Sequence, residues 1–153
     1  IDEIKIDYIP VHSRIIREYL KDGNIKIANK LLGKEYKIYG HQIKGQGLGA
    51  KSFVPTINLK IEEFLLPQEG VYVTKTILDD KEFNSITFLG HRVTTDGSYA
   101  VETHIINEDI KNSNYTTQIK FYEKLRDNKK FDSFEELKKQ ILNDIETTRI
   151  YFK

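Results

Sequence analysis

Cysteine and methionine are both absent from the 153 residues, and proline occurs only three times. Without cysteine there is no disulfide framework and no thiol chemistry, a usage that fits the cytoplasm, where the chain is expected to work. With no methionine and Ile1 at its start, the sequence reads as a fragment or a processed piece of something longer. No apolar run approaches the roughly 20 residues that a bilayer demands, and no basic-then-apolar leader opens the chain, so no membrane partner is expected. A strong excess of either charge is missing too. The 24 basic and 23 acidic side chains leave a formal net charge of +1, which makes no demand for nucleic acid.

What is present is an ordinary globular profile, 39% hydrophobic and 31% charged, long enough for one compact domain with a modest appendage. The most informative stretch is Gly45-Gln46-Gly47-Leu48-Gly49-Ala50-Lys51-Ser52, followed by Pro55-Thr56-Ile57-Asn58. Alternating glycines let backbone N–H groups approach a phosphate closely. Thr56 and Asn58 add hard oxygen donors of the kind magnesium prefers, so one loop could serve a nucleotide and its metal. The run is one substitution away from a P-loop, but Pro55 falls within the first turns of the helix a P-loop would open, past the one position that tolerates proline, and the chain downstream reads as strands. A glycine hairpin that holds no ligand is the plainer alternative.

Three zones follow from the periodicities. Ser13 to about Leu32 reads as two helical stripes split at Gly23, with Gly33 as the terminating residue. From Tyr36 to about Leu125 short runs alternate between turns. Strands are predicted at 36–40, 70–77, 84–89, 99–105 and 118–122, with turns at Asp79-Asp80-Lys81 and Thr95-Asp96-Gly97. Such a series favours a barrel or sandwich. Ser133-Phe134-Glu135-Glu136 has the form of a capping box, and Phe134, Leu137, Ile141, Leu142 and Ile145 mark one helical face, expected to cover a barrel flank as structural packing. On a strand, Glu102 and His104 would point to one side, where a carboxylate could accept the proton of a bound alcohol. A solvated polar face on an edge strand is the competing reading, and no third ligand at a matching spacing supports a metal there. His12, His41 and His91 read as isolated surface or turn residues.

Taken in order, Tyr36-x-Ile38-x-Gly40, the glycine loop, Pro55-Thr56-x-Asn58-Leu59, Leu66-Pro67-x-x-Gly70-Val71-Tyr72, Gly90 with Arg92, Val101-Glu102-x-His104, Leu125-Arg126, and Phe131-x-Ser133 leading to Gln140-Ile141-x-x-Asp144 resemble the riboflavin kinase domain. That domain forms the C-terminal end of bacterial bifunctional riboflavin kinase/FMN adenylyltransferases. The segment Val11-His12-Ser13-Arg14-Ile15-Ile16-Arg17 resembles the end of their adenylyltransferase domain. Residues 1–33 are therefore expected to be its remnant with connecting helices, and 34–153 the kinase-like barrel.

The resemblance implies a mainly β fold, a six-stranded antiparallel Greek-key barrel with a C-terminal helix. It implies ATP as co-substrate, Mg2+ as cofactor, riboflavin as substrate and FMN as product, with the missing adenylyltransferase domain as partner. Gly45, Gly47, Gly49 and Lys51 would take the ATP phosphates together with Thr56 and Asn58, which would also hold the metal. Glu102 would be the general base, with Arg126 and His104 on the flavin side. Departures from the family pattern cluster in the loops. Phe53 and Val54 stand where a glycine and an aromatic residue are usual, Leu48 replaces an arginine, Phe88 an asparagine, Val93 a proline and Ile57 an alanine. A non-catalytic barrel binding flavin or nucleotide beside an adenylyltransferase domain is the alternative from another class. An oligonucleotide-binding barrel finds neither a basic groove nor an aromatic ladder to support it.

Overall fold

The computed structural model describes residues 3–44, 54–62, 64–93, 96–108, 110 and 116–153. Among them, chain order runs β1 (Lys5–Ile6), β2 (Ile9–Pro10), α1 (Ser13–Lys21), α2 (Ile25–Leu32), β3 (Lys37–Ile43), β4 (Ile57–Lys60), β5 (Gly70–Leu78), β6 (Lys81–His91), β7 (Tyr99–Ile105), β8 (Thr116–Arg126) and α3 (Phe134–Tyr151). The last six strands close into a barrel in the order β3-β4-β7-β6-β5-β8, with β8 returning to β3 and all pairs antiparallel. β5, β6 and β7 form a meander and β4 lies beside β7, which is the Greek-key arrangement. Closure removes the free edges that an open sheet of this kind would expose.

Local chemistry accounts for the element ends. Asn24 caps α2 by accepting from the Ile27 N–H, and Gly33 terminates it in the left-handed region at φ +73°. Asp79 and Asp80 both take positive φ, at +52° and +65°, giving the tight turn that joins β5 to β6. Ser133 caps α3 by accepting from the Glu136 N–H. The Glu136 carboxylate reaches back to the Asp132 N–H, one residue earlier than a capping box would have it.

The barrel interior is filled by alternate residues of each strand. Ile38, Ile57, Leu59, Tyr72, Leu89, Val101, Ile105, Ile119 and Phe121 supply the apolar part. Between them lies a closed set of hydroxyls. Thr74 Oγ1 lies 2.7 Å from Ser85 Oγ and 2.8 Å from Thr87 Oγ1, Thr76 donates to Ser85 at 2.8 Å, and Thr87 donates to Thr103 at 3.0 Å. Hydroxyls can be buried this way because each finds a partner. Among the described residues no buried side-chain nitrogen or oxygen lacks one.

α1 and α2 close one end. Leu20, Ile25 and Ala28 join the barrel core itself. Asn29 stitches the cover down, donating to the Phe121 carbonyl and accepting from the Tyr36 N–H, both at 2.8 Å. α3 lies across the outer face, against β6. Its inner side is Asp144, Ile145 and Thr148, with Leu137 and Ile141 beside them, whereas Phe134 and Leu142, expected on that face, are 51% and 49% exposed. Phe134 is the first residue of the helix, and Leu142 follows Ile141 by a 100° turn, which carries Leu142 away from the sheet.

Candidate functional site

The strand register lays five residues in one line across the outer face of the barrel. Asn58 on β4 pairs with Glu102 on β7, Glu102 with Phe88 on β6, Phe88 with Val71 on β5, and Val71 with Arg126 on β8. Over this line sits α3, and between sheet and helix lies a cavity of about 160 Å3. Val54, Val71, Ile86, Phe88, Leu137 and Ile141 give it apolar walls, while Thr56, Glu102, His104, Arg126 and Asp144 supply polar groups. An apolar pocket with a few convergent polar groups is the usual form of a small-molecule site.

Glu102 and His104 do share a face, as period-two alternation requires, but β7 is not an edge strand. It is bonded on both sides, to β4 and to β6, so the reading of a solvated edge does not hold. The Glu102 carboxylate takes two bonds from Arg92, from Nε at 3.2 Å and Nη2 at 2.8 Å, and Nη2 also donates to Asn58 Oδ1 at 3.0 Å. His104 donates from Nδ1 to the Pro55 carbonyl at 2.7 Å, which fixes its tautomer and ties the Pro55-Thr56 segment to β7. Burial holds the His104 imidazole below the usual histidine range, and Arg149 adds to this, against the opposing pull of the Pro55 carbonyl.

At the other end Arg126 is anchored on α3. Its Nε and Nη2 both lie 2.9 Å from Asp144 Oδ2, Gln140 donates to Asp144 Oδ1 at 2.8 Å, and the guanidinium stands 5.6 Å from the centre of the Phe131 ring. Beside the cavity Gly90 has φ +141°, and a Cβ there would meet the Glu69 side chain at 3.1 Å. Glu69 accepts from the His91 N–H at 2.9 Å and pairs with the His91 ring, so a side chain at position 90 would press on the partner of His91, which lines the cavity.

Of the residues singled out from the sequence, the fold thus brings Thr56, Asn58, Glu102, His104 and Arg126 to one face. Gly45, Gly47, Gly49 and Lys51, like Leu48 and Phe53, lie outside the described residues. Sequence reasoning gave no role to Arg92 or Asp144, although both stood in the matched pattern. It also treated Pro55-Thr56-Ile57-Asn58 as loop, where Ile57 opens β4, and it took α3 as packing alone, where α3 forms a wall of the cavity. Charge complementarity of the candidate base was the missed signal for Arg92. Among the described residues no cluster of three or more His, Cys, Asp or Glu could hold a metal ion, and no helix is long and apolar enough to cross a membrane.

Comparison with known proteins bears on this arrangement. The chain is 34% identical over 149 residues to a bifunctional riboflavin kinase/FMN adenylyltransferase of Haemophilus influenzae, covering 96% of this chain and 48% of that protein. It is 30% identical over 146 residues to the Escherichia coli protein of the same description, covering 94% and 47%. The chain therefore spans about half the length of these relatives. A crystal structure described as a macrolide-efflux protein from Streptococcus pneumoniae superimposes with a TM-score of 0.87 at 29% identity, over 97% of this chain and 50% of that one. Efflux is said of that protein; what the two share is the backbone of barrel and helices. The family model for riboflavin kinase (Flavokinase) matches residues 32–152, the whole barrel together with α3. The chain belongs to the riboflavin kinase family.

Proposed function

We propose that this chain transfers the γ-phosphoryl group of ATP to the 5′-hydroxyl of riboflavin, giving FMN and ADP. The observation that carries the reading is the register line, which sets a carboxylate between a neutral oxygen donor at Asn58 and the apolar cavity under α3. A flavin ring suits the apolar walls, with His104 and Arg126 on its polar margin.

In the reaction Glu102 accepts the proton of the 5′-hydroxyl as the oxygen attacks. The O5′–Pγ bond forms, the bond from Pγ to the bridging oxygen breaks, and ADP leaves with that electron pair. Asn58 and Thr56 face the phosphates, and we assign Gly45, Gly47, Gly49 and Lys51 to the same end. The donor set suits a hard cation, because amide and hydroxyl oxygens are available. Among the described residues no cluster of three or more His, Cys, Asp or Glu stands there, which suits an ion that arrives already neutralised by nucleotide phosphates. Thr56 and Asn58 would hold magnesium there, and when bound it would draw charge from the transferring phosphoryl group. We further infer that the chain works in the cytoplasm, and that it works beside an FMN adenylyltransferase domain, an activity that the descriptions of its relatives name, with residues 1–33 leading from that domain to the barrel at 34–153.

The test is FMN formation from riboflavin, ATP and Mg2+, with the two flavins separated by chromatography. The expected result is product that requires the metal and falls by at least about 10²-fold in Thr56→Val, the scale for removing one group from a preorganised charge-stabilising site. Riboflavin or ADP binding without any product would replace the kinase by a non-catalytic barrel.

A further inference from the structure

Arg92 lies just past β6, in the connection to β7, and its side chain is 12% exposed. Among the described residues, three anchors hold its guanidinium. Nε and Nη2 hold Glu102 Oε1, Nη2 also holds Asn58 Oδ1, and Nη1 donates to Ser98 Oγ at 2.8 Å. The third anchor is itself fixed. Ser98 Oγ donates to Asp96 Oδ1 at 2.8 Å, and the same carboxylate oxygen accepts the Ser98 N–H at 3.1 Å. The backbone closes around the group as well, through Arg92 N–H to Ser98 O at 2.8 Å and Gly97 N–H to Arg92 O at 3.0 Å. A planar fork that meets three oxygens at fixed angles is a job for arginine; a lysine ammonium offers a point charge without that geometry.

The two oxygens that Arg92 joins belong to the two ends of the proposed reaction. Glu102 serves the attacking alcohol, and Asn58 serves the nucleotide. A divalent cation approaching Asn58 Oδ1 would meet the guanidinium on the same oxygen, and like charges at that range repel. The Glu102 carboxylate has no such conflict and keeps its partner. We propose that Arg92 is a positioning residue for phosphoryl transfer: it fixes the Glu102 carboxylate beside Asn58, and it yields Asn58 Oδ1 to the incoming nucleotide and cation while retaining Glu102. This rests on the riboflavin kinase reading.

Two readouts separate this role from a phosphate ligand and from plain structural support. Arg92→Met is expected to lower kcat by about 10²-fold, the cost of a reacting group misplaced by around an ångström. Riboflavin KM should stay near the wild-type value, and Mg-ADP binding, measured by calorimetry without riboflavin, should be unchanged or tighter. Combined with Glu102→Gln, Arg92→Met should cost no more than about a further twofold, because the losses of residues that act as one unit do not multiply. Arg92→Lys, which keeps the charge and is the second variant should the methionine form not fold, should show the same split with a smaller loss. Mg-ADP affinity that falls in step with kcat would make Arg92 a phosphate ligand and overturn the proposal, as would full multiplication of the two losses or an Arg92→Lys enzyme equal to wild type. Wild-type protein that makes no FMN would sink the kinase reading instead; the Mg-ADP comparison would still decide whether Arg92 opposes or holds the nucleotide.

Discussion

The barrel has two helical covers, and they are built differently. α1 and α2 press Leu20, Ile25 and Ala28 into the core at 2%, 1% and 0% exposure, and Asn29 locks the contact with two backbone hydrogen bonds. α3 touches the outer face through Ile145 and Thr148, leaves a cavity along Leu137 and Ile141, and reaches the far strand through the Arg126–Asp144 pair. The first contact is the interior of a domain, where close packing leaves little to bind. The second is incomplete by the same standard, and its gap lies over the line of Asn58, Glu102, Phe88, Val71 and Arg126. A helix that fully buried its face here would add stability and remove the site. The trade of stability for an open, binding-competent surface is a general one.

Substitutions on the two sides should separate stability from activity. Under α3, Glu102→Gln should slow phosphorylation by about 10²- to 10⁴-fold, the range for loss of a general base, with the melting temperature little changed. Steady-state FMN production and calorimetry would check both, and unaltered turnover would remove Glu102 from its role. At the other cover, Ile25→Ala should cost about 2–5 kcal/mol in urea unfolding, because the side chain is enclosed on all sides. Ile141→Ala, beside the cavity and half-buried, should cost about 1 kcal/mol or less but raise the riboflavin KM about tenfold. If the two isoleucines gave equal stability losses, the contrast between the covers would be wrong.

The smallest expected effect concerns pH. The folded chain holds the His104 pKa below its usual value of 6.5, chiefly by burial. Below about pH 6.5 the unfolded chain therefore binds the proton more readily than the folded one. This contribution to stability is full above that value and is lost as pH falls through the folded pKa. Thermal melts of wild type and His104→Gln between pH 7.5 and 5 should show the wild type declining more steeply, and parallel curves would refute it.

Much of this was legible in the sequence where a local signal exists. The Ser133 start, the Gly33 stop and the Asp79-Asp80 turn follow from side-chain oxygens and left-handed backbone, which act over a few residues. The shared face of Glu102 and His104 follows from strand geometry alone. β4 escaped because it is four residues long and follows Pro55; its alternation of Ile57 and Leu59 with Asn58 and Lys60 is too brief to stand out. The Lys5–Ile6 and Ile9–Pro10 pair escaped for the same reason. Arg92 escaped for another. Its bond to Asn58 spans 34 positions and exists only because β4, β7 and β6 close in one register. The cavity depends on how far α3 stands off the sheet, a matter of docking that no periodicity encodes.

The interior hydroxyls described above have a consequence for the outside. Thr103 sits between Glu102 and His104, and its hydroxyl meets Thr87 within the barrel. Shift β7 by one residue against β6 and the Glu102 carboxylate would turn inward among those hydroxyls, while Thr103 would face the cavity. Apolar side chains alone tolerate such a slip poorly; hydroxyls that need particular partners tolerate it less. The cluster of Thr74, Thr76, Ser85, Thr87 and Thr103 thus serves as a ruler, indexing from within the spacing of the groups displayed without. For anyone grafting this barrel elsewhere, a single residue inserted within β6 or β7 would scramble the outer face while the composition of the core stayed the same.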